Sequence, residues 1–200
     1  MKNINEKGNS LIEVLAVFGI LAVISIGVLS GIISIQSKLR ISKTYSETKN
    51  IIAAMRQNFS AFRPTPEKLT EMLVTLGIFQ DADGDGYSTN SLGHRMNIQL
   101  SSEYSSPFST SEPTFRLTYY NVDPKSCIGL LSADWGNDPS TGLAEILVGN
   151  DPDHTKSFWW PKDIPETGAD VPYPLPLNME DGLRECTRYN SVNISWEYYF

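Results

Sequence analysis

The sequence predicts an α+β fold in which a long amino-terminal helix lays its second half on an antiparallel β-sheet. Three features predict it. Residues 14–37 run for 24 positions without a charged side chain. Residues 36–59 then continue without proline or glycine. Four later runs place β-branched or aromatic residues at alternating positions, the period of a strand.

The apolar run KGNSLIEVLAVFGILAVISIGVLSG carries one carboxylate, Glu13, near its start. As a helix, residues 14–37 rise about 36 Å, enough to cross a bilayer. The run is longer than the apolar region of a signal peptide, roughly 7–15 residues. An ordinary membrane anchor explains the length and leaves Glu13 unexplained, since an ionised carboxylate in hydrocarbon costs on the order of 2.5–3.5 kcal/mol.

A short charged leader ending in Gly8, five residues ending in Glu13, and then an apolar helix resemble the prepilin signature of type IV pilins. The segment VFGILAVISIGV, which lacks the proline of many type IVa members, is similar to the type IVb subclass, of the toxin-coregulated and conjugative thin-pilus kinds. NSLGHRMNIQL at 90–100 resembles the turn and first strand of the conjugative kind. The resemblance implies the pilin ladle fold, with a leader at 1–8, a transmembrane and filament-core helix at 9–37, and a globular domain at 38–200. It implies that a prepilin peptidase cuts between Gly8 and Asn9 and methylates the new amino terminus at Asn9. The family's first mature residue is usually apolar, and Asn9 departs from that. Glu13 becomes the fifth mature residue, which the family pairs with the terminal ammonium of a neighbouring subunit, so that two buried charges neutralise each other. The implied partners are further copies in a helical filament, the peptidase, the assembly platform in the inner membrane, and a host or recipient receptor. The implied location is the inner membrane before assembly and the cell surface afterwards.

Gly19, Gly27 and Gly31 recur near helical multiples. They either form a close helix-packing face or merely weaken the helix. Beyond the run, Leu39, Ile41, Tyr45, Ile51, Ile52, Met55 and Phe59 offer an amphipathic face. Arg63-Pro64-Thr65-Pro66 ends the helix near Ala61. A short second helix is expected over PEKLTEMLVTLGIF, and strands over MNIQLSS, TFRLTYYNV, LAEILVGN and SVNISWEYYF. DPKSCIGLLSADWG reads as a helix capped by Asp123, with Pro124 in its first turn and Gly136 near its stop. NMEDGLRECTRYN reads as another, capped by Asn178.

Asp81, Asp83, Asp85 and Gly86 match the opening of a calcium loop, with the Tyr87 carbonyl as a further ligand. Position 12 of that loop is Leu92, where a bidentate carboxylate belongs, and alternating Asp and Gly is also ordinary turn chemistry. Calcium is the only cofactor this pattern suggests, and its role there would be rigidity. Cys127 and Cys186 are the only cysteines. In an exported domain they form one disulfide, as the pilin resemblance implies for the carboxy-terminal region, with two buried thiols as the alternative. The Pro- and aromatic-rich stretch 154–178, with Phe158, Trp159, Trp160 and Tyr173, shows little helix or strand pattern. It is either a receptor-facing surface, a subunit contact or a cover for the sheet. Asn193-Ile194-Ser195 matches a glycosylation sequon inside an expected strand and is read as chance.

The net charge of −7 becomes −8 once the leader's net +1 is removed, which argues against nucleic acid as a ligand. His94 and His154 lie in no recognisable catalytic motif, so an enzyme is not expected. Two other classes remain open: a minor pilin or type II secretion pseudopilin, and a membrane-anchored extracytoplasmic binding domain unrelated to pili.

Overall fold

The computed structural model describes residues 7–59, 65–80, 84–101, 114–135, 141–150, 155–159, 173–175 and 177–200. Among the described residues, four helices and seven strands follow in the order α1 (Lys7–Phe59), α2 (Pro66–Thr75), β1 (Ser88–Thr89), β2 (Arg95–Ser101), β3 (Thr114–Val122), α3 (Pro124–Leu131), β4 (Leu143–Gly149), β5 (Thr155–Trp159), β6 (Tyr173–Pro174), α4 (Met179–Thr187) and β7 (Val192–Tyr199). The chain divides into two compact units, residues 1–40 and residues 41–200.

In the first unit α1 is helical from Lys7 onward. Val14, Leu15, Val17, Phe18, Ile35 and Leu39 expose half or more of their surface. Side chains of 7–13 and 19–34 lie outside the described residues.

In the second unit the strands form one sheet in the order β1-β2-β3-β7-β4-β5-β6. All pairings are antiparallel except β5 with β6, which is parallel. The carboxy-terminal strand β7 therefore sits at the centre, between β3 and β4. Alternation decides which side chains enter the core. Phe115, Leu117 and Tyr119 of β3 and Ile194, Trp196 and Tyr198 of β7 all point to one face and are buried.

The second half of α1 contributes Thr44, Thr48, Ile51, Ile52 and Met55 to that core. Their spacing puts them on one helix face at about 100° per residue. Leu39 falls about half a turn away from this stripe and is 64% exposed. The amphipathic face expected from apolar residues alone is thus corrected: Thr44 and Thr48 take buried positions that Leu39 does not. Thr48 can lie there because its Oγ1 donates to the Thr44 carbonyl at 2.7 Å and meets the Tyr119 hydroxyl at 2.5 Å. Polar ties also hold this half-helix. The Tyr45 hydroxyl donates to the Asp134 carbonyl, the Arg56 guanidinium to the Thr141 carbonyl at 2.6 Å, and the Ser91 amide to Glu47 Oε2 at 3.0 Å. Trp135 packs between Tyr45, edge to face at 4.9 Å between ring centres, and Trp196, tilted at 4.8 Å, and its indole N–H donates to the Leu130 carbonyl.

The opposite face of the sheet carries a charged row. Arg116 reaches Glu197 at 2.6 Å and Glu145 at 3.3 Å, and Thr114 donates to Glu197 at 2.6 Å. All three charged side chains are at least four-fifths buried, so each depends on the others for compensation.

Element ends differ from expectation in three places. α2 stops at Thr75 rather than running on to Phe79, because Gly77 turns the chain at φ +69° and the amides of Ile78 and Phe79 fold back to the Leu73 carbonyl. α3 stops at Leu131, before Gly136, where Ser132 closes it with backbone bonds to Ile128 and Leu130. The stretch read as patternless supplies β5 and β6, strands whose stability comes from pairing, β5 with β4 and β6 with β5, rather than from alternation.

Candidate functional site

The prepilin-like residues lie in α1. Gly8, Asn9 and Glu13 are in its first two turns, and Gly19, Gly27 and Gly31 lie further along the same uninterrupted helix. No break separates the charged start from the apolar run. Of these residues' side chains, that of Glu13 included, the described structure gives no contacts. Immediately after Glu13, Val14, Leu15, Val17 and Phe18 are 51–64% exposed. Contiguous exposed apolar side chains of this size mark surfaces that meet another apolar phase or protein. Among the described residues no helix is long and apolar enough to cross a membrane. The middle of the run, 19–34, falls outside the side chains described, so the membrane-spanning expectation for 9–37 rests on the sequence.

The carboxy-terminal elements are tied by the disulfide Cys127–Cys186, with Cα atoms 5.7 Å apart. The free-thiol alternative is thereby excluded. Asp123 caps α3 by accepting from the Ser126 amide at 3.0 Å, with Pro124 at the first turn, and Asn178 caps α4 by accepting from the Glu180 amide at 3.1 Å. The caps fix where each helix begins and hence where its cysteine points. Both cysteines are completely buried. Burial works to raise the Asp123 carboxyl, but hydrogen bonds from Ser126 together with nearby His94 outweigh it and hold the group below its ordinary value. His94 Nε2 lies 3.6 Å from Asp123 Oδ2, which makes this histidine a neighbour of a helix cap. His154 lies outside the described residues.

The calcium pattern fares differently along its length. Asp81 and Asp83 lie outside the described residues. Asp85 is described, and both of its oxygens have partners: Oδ1 accepts from the Tyr87 amide at 3.0 Å and Oδ2 pairs with Arg95 at 2.5 Å. Arg95 also lies over the Tyr87 ring at 4.0 Å. Residues 88–89 form β1, and Leu92 sits in the turn joining β1 to β2. Among the described residues no group of three or more His, Cys, Asp or Glu side chains is placed to hold a metal ion.

Of the aromatic stretch, Phe158 is completely buried on β5 and covers the sheet rather than facing outward. Trp159 and Tyr173 lie on β5 and β6, their side chains outside those described, and Trp160 lies outside the described residues altogether. The sequon asparagine is engaged: Asn193 Oδ1 accepts from the Asn121 amide at 3.1 Å and its Nδ2 donates to the Asn150 carbonyl at 3.4 Å.

Sequence reasoning did not find a groove between α1, the turn after α2 and the residues following β1. It has a volume of about 680 Å3, and Lys43, Glu47 and Asn90 are among its lining residues. Lys43 and Glu47, four apart on a helix, are the only linear signal of it. The chain matches no protein-family model and no curated protein.

Proposed function

We propose that this chain is the structural subunit of a type IVb pilus, cut after Gly8, methylated at Asn9 and polymerised through its amino-terminal helix into a surface filament. The observation that carries the reading is the unbroken helix from Lys7 to Phe59, on which Gly8, Glu13 and the apolar run stand in one register. Exposed apolar side chains directly after Glu13 support it, because such a surface is stable only when a bilayer or neighbouring helices cover it. In a filament core the low dielectric penalises an unpaired Glu13 carboxylate, and a neighbour's terminal ammonium relieves that penalty. The pairing thus rewards one axial register between subunits.

The second half of α1 joins a disulfide-bonded α+β unit, which suits an exported subunit that stays folded outside the cell. The ladle form, the inner-membrane and cell-surface locations, and adhesion, aggregation or conjugative contact as the filament's role belong to the same proposal.

Mass spectrometry of intact protein sheared from the cell surface tests it. The expected mass is that of residues 9–200, two hydrogens lighter for the disulfide and one methyl group heavier. Full-length chain from Met1, found in membranes and absent from sheared material, overturns the pilin reading and leaves an anchored binding domain.

A further inference from the structure

The groove described above lies wholly within residues 41–200, and its volume falls in the range of small-molecule sites. Its apolar lining comes from Ile51, Ala54, Ile78 and Met96. Lys43 and Glu47 stand on its wall one helical turn apart. Side chains at this spacing are within reach of one another, yet the ion pairs among the described residues include none between them. Glu47 instead turns Oε2 to the Ser91 amide, which orients the carboxylate. Within the wall Asn90 is 4% exposed, and its Oδ1 accepts from the amides of Leu92 and His94, both at 3.0 Å. That arrangement assigns the other atom as Nδ2, a donor left without a partner. Buried donors without partners are unfavourable and uncommon.

We infer that this groove binds a small aliphatic zwitterion of the α-amino-acid class. The ligand's ammonium faces Glu47, its carboxylate faces Lys43 on the wall behind which the Asn90 amide is buried, and its side chain covers Ile51, Ile78 and Met96. A simple anion or cation leaves one of the two wall charges uncompensated. A sugar finds no aromatic ring to stack on among the lining residues. A neutral peptide segment uses neither charge. The inference is independent of the filament reading, since the groove belongs to a single subunit.

The test uses the full chain in detergent micelles with methyl-labelled isoleucine and methionine, and L-leucine as the probe. Saturable shifts of the Ile51, Ile78 and Met96 methyl signals are expected. Lys43→Gln and Glu47→Gln should each weaken binding about tenfold or more, and uncharged N-acetyl-L-leucinamide should leave the signals unmoved. The amide side chain introduced by Glu47→Gln keeps an acceptor for the Ser91 amide, so an unchanged spectrum without leucine verifies that the variant is folded. No shift at about 10 mM leucine overturns the inference. Equal binding of N-acetyl-L-leucinamide also overturns it, and assigns the groove to neutral, peptide-like ligands. Neither result bears on whether the chain is processed at Gly8.

Discussion

Replacing both cysteines, Cys127→Ala with Cys186→Ala, removes the covalent tie between α3 and α4. The two positions are 59 residues apart, and closing a loop of that length is worth about 4 kcal/mol on the chain-entropy account. Alanine is the right replacement, because both side chains are fully buried and a serine hydroxyl would add a desolvation cost of its own. The two lost sulfur atoms leave a small void that adds roughly 1 kcal/mol. The expected loss is therefore about 5 kcal/mol, half or more of a typical domain's stability in the lower part of its range. With a urea slope of about 2 kcal/mol/M, the midpoint should fall by about 2.5 M. Tryptophan fluorescence of the full chain in detergent follows the transition, since Trp135 and Trp196 are buried in the core of the same unit. A variant midpoint within about 0.5 M of the oxidised wild type would refute the reasoning, because neither the loop constraint nor the void would then be felt.

Glu13→Ala should be processed at a normal level and yield few or no sheared filaments, by immunoblot of cell-surface material. Wild-type filament yield would count against the charge-pairing mechanism. Arg116→Met should destabilise the fold by about 3 kcal/mol in urea unfolding, because it strips Glu197 and Glu145 of their buried guanidinium; a loss under about 1 kcal/mol would mean the row is already well solvated. Asp123→Ala should cost about 1 kcal/mol at neutral pH through loss of the α3 cap. Because the Asp123 carboxyl is held below its ordinary value of 3.8, its contribution is fully present above that pH and is lost as pH falls through the folded-state value. The gap between wild type and variant should therefore narrow in acid, and a constant gap down to about pH 2 would contradict the sign of this linkage.

The strands at 95–101, 114–122, 143–149 and 192–199 were legible because each alternates, and alternation is local. So were the helices at 124–131 and 179–187, whose caps, Asp123 and Asn178, are written into neighbouring residues. β5 and β6 were not legible, since Thr155–Trp159 becomes a strand only beside β4, and Tyr173–Pro174 only beside β5. Thr48 escaped an apolar reading of α1 for a similar reason: a threonine can be buried when its hydroxyl finds a partner, and here that partner is Tyr119, 71 residues away. Glu197 and Arg116 likewise look like solvent-facing strand residues until Glu145 arrives from β4 to complete the row.

By itself the sequence determined the uninterrupted helix, the Gly8 and Glu13 spacing, the caps, the strand alternation and the presence of just two cysteines, because each depends on residues a few positions apart. Only the tertiary structure decided the central place of β7, the pairing of Cys127 with Cys186 in space, the partners that occupy Asp85, and the groove that brings Lys43 and Glu47 to Asn90. These depend on which distant segments meet, and that is set by the burial of the whole core, a quantity no short stretch of chain carries.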